Sequence, residues 1–205
     1  MEQCIDIVLA SGSPRRKDLF NTAGLSFDIF VSGADEHTDE KDPEKYAGIL
    51  SKRKAIASAE AYKTSQNDKK ILVTGADTVV AYNGRILGKP LDEEDAFNML
   101  MLLSGNVHQV YTGVSAVLKN EDGSISEDEG IFFTECTEVE MYPFDRREAY
   151  DYISSKEPMD KAGSYGIQGI GGRLIKGIKG DYDNVVGFPL PRFMRELKAR
   201  CYIRF

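Results

Sequence analysis

Short apolar runs and polar, glycine-rich breaks alternate along this chain, and the period of the apolar positions changes from one stretch to the next. Ile5 to Leu9 is short and largely apolar, the pattern of a buried strand, and Phe27 to Val31 predicts a second one. Between them Ser13-Pro14 reads as the N-cap and first residue of a helix. Asp42-Pro43 opens a long helix with Tyr46, Ile49, Leu50 and Ile56 at helical spacing, ending near Tyr62. Ile71 to Thr74 predicts a buried strand that ends in Gly75-Ala76-Asp77-Thr78, after which Val79 to Tyr82 continues extended. Asn83-Gly84 is a hairpin turn, with Arg85 to Leu87 as the return strand. Asp92 caps a helix through Phe97, Met99, Leu100 and Leu103, which Ser104-Gly105 stops. Two long alternating strands follow, Val107 to Lys119 and Ile131 to Met141, and the acidic stretch Asn120 to Gly130 between them reads as a solvated loop. Asp145 with Glu148 forms a capping box for a helix to Ser154. Residues 163–180 are dense in glycine and predict loop and short strand, and Pro189 or Pro191 opens a last helix.

Helices alternating with strands, plus one long hairpin, predict an α/β protein with a mixed central sheet flanked by helices. The expected shape is a single domain over residues 1–205, its sheet bent into two lobes. The helix-rich N-terminal half would form one lobe and the hairpin the other.

Composition narrows the function. The net charge of −7 argues against a nucleic-acid polymer as partner, since that needs a basic face. No apolar segment has the length of a membrane span, and the start of the chain lacks a signal pattern. Cys4, Cys136 and Cys201 are widely spaced and form neither a disulfide framework nor a zinc motif. A cytoplasmic protein with packed, reduced cysteines is the expectation.

Candidate chemistry begins at Leu9-Ala-Ser-Gly-Ser-Pro-Arg-Arg16. Two arginines in a first helical turn oppose the helix dipole, so local stability does not explain them. An anion held by the free N–H groups and a two-arginine fork does, the alternative being a solvated basic turn. Asp77, after a buried strand, is the candidate catalytic carboxylate, and Gly75 beside it permits close backbone approach. Glu36 follows another predicted strand and would join Asp77 around a divalent cation; by itself it reads more readily as part of a solvated acidic face. Lys54, in Lys52-Arg53-Lys54, and Lys89, between Gly88 and Pro90, are candidate phosphate contacts or surface lysines. Arg15, Arg16, Lys54 and Lys89 together would balance a triphosphate. The glycine run 166–172 is a weak dinucleotide-loop signal, lacking the strand and helix that such a loop joins. His108 heads an alternating strand and is expected to be packed or half-exposed there. No Walker A, GxSxG or HExxH pattern occurs, which leaves metal-assisted water as the economical nucleophile.

Taken in order, the motifs Leu9–Arg16, Gly75-Ala-Asp-Thr78, Gly88-Lys-Pro90, Leu103-Ser-Gly105, Tyr111-Thr-Gly-Val114, Glu157-Pro-Met-Asp-Lys-Ala-Gly163, Tyr165-Gly-Ile-Gln-Gly169 and Gly180-Asp-Tyr-Asp-Asn-Val-Val-Gly187 resemble those of the Maf (septum formation) proteins. The resemblance spans nearly the whole chain. It implies a fold like the inosine triphosphate pyrophosphatases, with a cleft between the lobes, and cleavage of a nucleoside triphosphate to monophosphate and pyrophosphate, with magnesium or manganese. It further implies Asp77 as proton acceptor, with Ser11, Arg16, Lys54 and Lys89 on the phosphates and Glu36 near the metal. Arg15, Thr78 and Gln168 stand at the base-reading positions, in the combination of the subgroup that acts on dTTP and UTP. Phe188 and Met141 depart from the usual residues as packing changes. The partners implied are pyrimidine nucleoside triphosphates, standard or modified, and the assembly is left open between a single chain and a homodimer. A regulator of septum formation that binds nucleotide without essential catalysis is the competing reading.

Overall fold

The computed structural model describes residues 1–63 and 69–204. In chain order its elements are β1 (Glu2–Gln3), β2 (Asp6–Leu9), α1 (Pro14–Thr22), β3 (Phe27–Ile29), α2 (Pro43–Ala61), β4 (Ile71–Tyr82), β5 (Arg85–Leu87), α3 (Glu93–Leu103), β6 (Val107–Lys119), β7 (Ile125–Met141) and α4 (Arg146–Ser154). Three 3₁₀ turns follow, at Glu157–Asp160, Ala162–Ser164 and Gly169–Leu174. The chain then forms β8 (Ile175–Lys179), α5 (Tyr182–Val186), α6 (Leu190–Ala199) and β9 (Ile203–Arg204). Helix starts follow the capping chemistry. Asp42 accepts from the Glu44 and Lys45 amides, Asp92 from Asp95, and Asp145 with Glu148 completes a capping box.

Among the described residues the main sheet runs β3-β2-β4-β6-β7-β8, with β5 also paired to β4. β3, β2 and β4 are parallel, and the remaining pairings are antiparallel, so the sheet is mixed as expected. Its faces bury separate cores. On one face Ile7, Leu9, Leu72, Val114 and Ile131 pack against Phe20 of α1, Phe188, and Phe193 and Leu197 of α6. On the other, Val8, Val73 and Val117 meet Ala55 and Ala59 of α2. Toward the far ends of β4, β6 and β7, Val80, Val110 and Val139 join α3, α4, Tyr165 and Leu174 in a third cluster.

Several expectations change. Residues 71–82 form one unbroken strand, so Asp77 lies inside it and not after it. β7 begins at Ile125, because β6 offers it a partner through a bulge between Ala116 and Leu118. Tyr202 and Arg200 donate to the Glu129 and Gly130 carbonyls, so much of the supposed solvated loop is held. β6 and β7 also carry residues in more than one core, so the hairpin is shared and does not form a lobe by itself. The three cysteines are exposed and free rather than packed, with Cys201 in a left-handed turn (φ 59°). Among the described residues no helix is long and apolar enough to cross a membrane.

Candidate active site

The site arises where β4 loses its neighbours. β2 accompanies β4 only as far as the Leu9–Thr74 pair, and β5 pairs with it only from Val80 onward. Between these points one edge of β4, around Gly75 to Val79, faces a crevice at the carboxyl end of a parallel strand. An unpaired carbonyl there needs a donor. Arg16 supplies it: Nη1 donates to the Ala76 carbonyl at 3.0 Å and to Ser11 Oγ at 3.1 Å. Nε donates to the Gly187 carbonyl at 2.8 Å and Nη2 to Thr78 Oγ1 at 3.1 Å. Desolvation pushes the guanidinium below its ordinary value, and Arg15 adds to this while Asp77 and Glu36 oppose it. Thr78 is engaged on every side, with Thr112 Oγ1 at 2.9 Å and the Gly187 carbonyl at 3.4 Å.

α1 starts beside this edge. Pro14 has no N–H, Ser13 makes no side-chain cap, and the first turn holds no acidic residue, so the Arg15 and Arg16 amides have no partner within the helix. The opposite wall is set by α2, whose backbone lies directly on the sheet. A Cβ built on Gly75 would fall 2.4 Å from the Ser51 carbonyl, and one on Gly113 2.3 Å from that of Ala47. This contact brings the Lys54 ammonium to 2.7 Å from Asp77 Oδ1 and 2.9 Å from Glu36 Oε2. Asp77 is buried and Lys54 half-buried, whereas Glu36 is largely exposed on the irregular segment after β3, well past that strand's end. Two carboxylate oxygens thus converge on one cation position, which the Lys54 ammonium occupies. Among the described residues no group of three or more His, Cys, Asp or Glu gathers as a metal site, here or elsewhere, so the carboxylate pair stands without a third such ligand.

The remaining wall is the 3₁₀-rich stretch after α4. The Glu157 carboxylate accepts from the Ile170 and Gly171 amides at 2.9 and 3.0 Å and from Tyr152 Oη at 2.9 Å, which shapes the turn carrying Gln168. Gln168 is exposed, and among the described residues its amide has no hydrogen-bond partner. Asp160 accepts from Lys161 at 2.6 Å and from Arg15 at 3.3 Å. Desolvation is the largest influence on its carboxyl and pushes upward, but the Lys161 hydrogen bond and the two cations outweigh it and leave the carboxyl below its ordinary value. Tyr165 lines the cavity, and its hydroxyl lies 2.7 Å from His108 Nε2. His108 is fully buried, which pushes its imidazole down to about 4.

One cavity of about 640 Å³ collects Ser11, Arg15, Arg16, Glu36, Lys54, Asp77, Thr78, Lys89 and Gln168, so all nine residues singled out from the sequence line it. Lys89 is exposed at its mouth, and among the described residues its ammonium has no ion-pair or hydrogen-bond partner. Sequence reasoning assigned no role to Asp160 or Lys161, although both lie in the motif 157–163. It also missed the Ala76 and Gly187 carbonyls, because a backbone acceptor leaves no mark on residue identity. His108 is packed, as one of its two expected placements had it.

Fold and cavity together define an α/β cleft protein whose cavity joins an exposed sheet edge, a helix start, a cluster of cations and a carboxylate pair. The chain belongs to the Maf-like proteins, whose family model matches residues 6–200. A "dTTP/UTP pyrophosphatase" of Agathobacter rectalis is 48% identical over 94% of this chain and 96% of its own. Proteins given the same description from Bacillus thuringiensis subsp. konkukian and Lachnoclostridium phytofermentans are 47% and 45% identical over 94% of this chain, and 94% and 93% of their own lengths. Among solved structures, the Ham1 protein of Staphylococcus aureus aligns with 13% identity at a TM-score of 0.38, over 83% of this chain and 79% of its own.

Proposed function

We propose that the protein hydrolyses dTTP and UTP to the nucleoside monophosphate and pyrophosphate. The observation that carries this reading is the buried Asp77 carboxylate set among Lys54, Arg16 and Glu36 on the wall of one cavity. The relatives' shared description supports the same substrates for this chain.

In this reading Asp77 accepts the proton of the water that attacks the α-phosphorus. The free amides of α1, Lys89 and Lys54 bind phosphate oxygens, and Ser11 lies beside them under Arg16. Arg16 spends most of its donors on the protein, so its part is to hold the crevice edge and give a remaining N–H to phosphate. Glu36 and Asp77 would hold a magnesium or manganese ion, which when bound polarises phosphate and favours ionisation of water.

For the base, Gln168 has a free amide whose donor and acceptor match the O4 and N3–H edge of uracil and thymine. Cytosine reverses the donor and acceptor on that edge, so discrimination against it requires the Gln168 amide to be held in one orientation in the complex. Thr78 acts through Arg16, since its hydroxyl is taken, and Arg15 is placed by Asp160. Free, exposed cysteines suit a reducing compartment such as the cytoplasm.

The test is pyrophosphate release from a panel of nucleoside triphosphates with and without divalent metal. dTTP and UTP are expected to exceed the purine nucleotides, and Asp77→Asn to lower kcat by roughly 10²- to 10⁴-fold while nucleotide binding stays measurable. Equal rates on purines, or an Asp77→Asn variant near the wild-type rate, would overturn the reading.

A further inference from the structure

The position where the two carboxylates converge already holds a cation, the Lys54 ammonium, 2.7 Å from Asp77 and 2.9 Å from Glu36. An ammonium and a divalent ion cannot share it, because like charges at such separation repel strongly in a half-buried site. The backbone beneath is fixed. α2 rests on Gly75 and Gly113 without room for a methyl group, and Ser51 is bonded to Ser115 at 2.8 Å inside the sheet. Movement must therefore come from the four-carbon stem of the lysine itself. The cavity offers that ammonium no free protein acceptor of comparable charge, since Asp160 is taken by Arg15 and Lys161. A triphosphate would bring one.

We propose that Lys54 keeps the place of the divalent cation in the nucleotide-free protein, and that the phosphates draw it off the carboxylates, so the metal enters with the substrate and not before it. The proposal rests on Glu36 and Asp77 being the cation's ligands. It makes Lys54 a coupling residue: the group that neutralises the acids at rest becomes a phosphate contact in the complex. By linkage, nucleotide must then raise metal affinity and metal must raise nucleotide affinity.

The experiment measures Mn²⁺ binding to the full chain by titration calorimetry, without nucleotide, for wild type and four variants. Lys54→Met removes the occupant, and Lys54→Gln repeats the test with a polar side chain should the first fold poorly, thermal melting reporting on each. Lys89→Met removes an equal charge from the same cavity that touches neither carboxylate. The Lys54→Met, Glu36→Gln double variant removes one ligand. Expected is a gain in Mn²⁺ affinity of about tenfold or more on Lys54 substitution, of the size usual for coupled sites, against about threefold or less for Lys89→Met. Adding α,β-imido-UTP to wild type should restore Mn²⁺ binding to the protein. Equal affinities in wild type and both Lys54 variants, or an equal gain from Lys89→Met, would overturn the place-holding role and leave the carboxylate site standing. If the Lys54→Met gain survives Glu36→Gln, or no protein binds Mn²⁺ even with the analogue, the carboxylate site itself fails and the proposal falls with it.

Discussion

Gly75→Ala tests the link between helix packing and chemistry most directly. The added Cβ would lie 2.4 Å from the Ser51 carbonyl oxygen, 2.6 Å from the Ala55 nitrogen and 3.2 Å from its Cα, all of them backbone atoms. Ordinary contact begins near 3.4 Å, so α2 must retreat from β4 by roughly 1 Å. The helix has no easy way to yield, because its buried face is small side chains on sheet, including Ala47, Ser51, Ala55 and Ala59. Overpacking of this kind costs about 1–3 kcal/mol, and two backbone clashes place Gly75→Ala at the upper end. The usual gain of Ala over Gly within a strand, about 0.5–1 kcal/mol, offsets part of this. The expected net loss is about 2 kcal/mol in urea unfolding. Retreat of α2 also shifts the backbone that carries Lys54 relative to Asp77 and the phosphate site, and a misplacement of about 1 Å can cost around 10²-fold in turnover. Gly177→Ala on β8, where a Cβ would meet nothing within 4 Å, is the control and should be near neutral in both assays. A Gly75→Ala protein within about 0.5 kcal/mol and threefold of wild type in kcat/KM would refute the claim that this contact sets the site.

Two further outcomes follow from the same geometry. Arg16→Lys leaves the Ala76 and Gly187 carbonyls without their planar donor, so urea unfolding should show a loss of about 2 kcal/mol, whereas Lys17→Ala on the exposed side of α1 should show almost none. His108 is buried neutral with its imidazole down at about 4, below the unfolded value of 6.5, so it supplies stability that is present above 6.5 and lost as pH falls through that window. His108→Gln should remove up to about 3 kcal/mol of pH dependence between those limits in denaturant titrations, and an unchanged slope would contradict this account.

What could be read from the sequence was whatever rests on local chemistry. Caps at Asp42, Asp92 and Asp145 are written in side chains a few residues apart, and so are the turn at Asn83-Gly84 and the periodicity of α2. Of the residues that line the cavity, the charged ones stood out because packing alone gave no reason for them, whereas Ser11, Thr78 and Gln168 were singled out only by the family resemblance. The misreadings share a cause, which is pairing over distance. Gly75 looked like a strand end because glycine breaks local patterns, yet β6 across the sheet holds residues 71–81 in one ladder. Ile125 to Gly130 looked like loop because it is acidic, yet its backbone bonds to β6, Arg200 and Tyr202. The network around Arg16 was invisible for the same reason, its acceptors being carbonyls brought together from residues 76 and 187.

β4, β6 and β7 each contribute side chains to more than one of the hydrophobic cores. A molecule built this way joins its cores, among the described residues, by continuous strands and not by a single linker. Its cleft cannot gape by swinging one half about a linker, because continuous strands would have to bend and every ladder along them would be strained. What is left to adjust around a guest is the side chains at the rim, among them those of Gln168 and Lys89, which have no hydrogen-bond partner among the described residues. Such a protein should melt as one cooperative unit and admit its ligand through adjustments of a few ångströms at the rim.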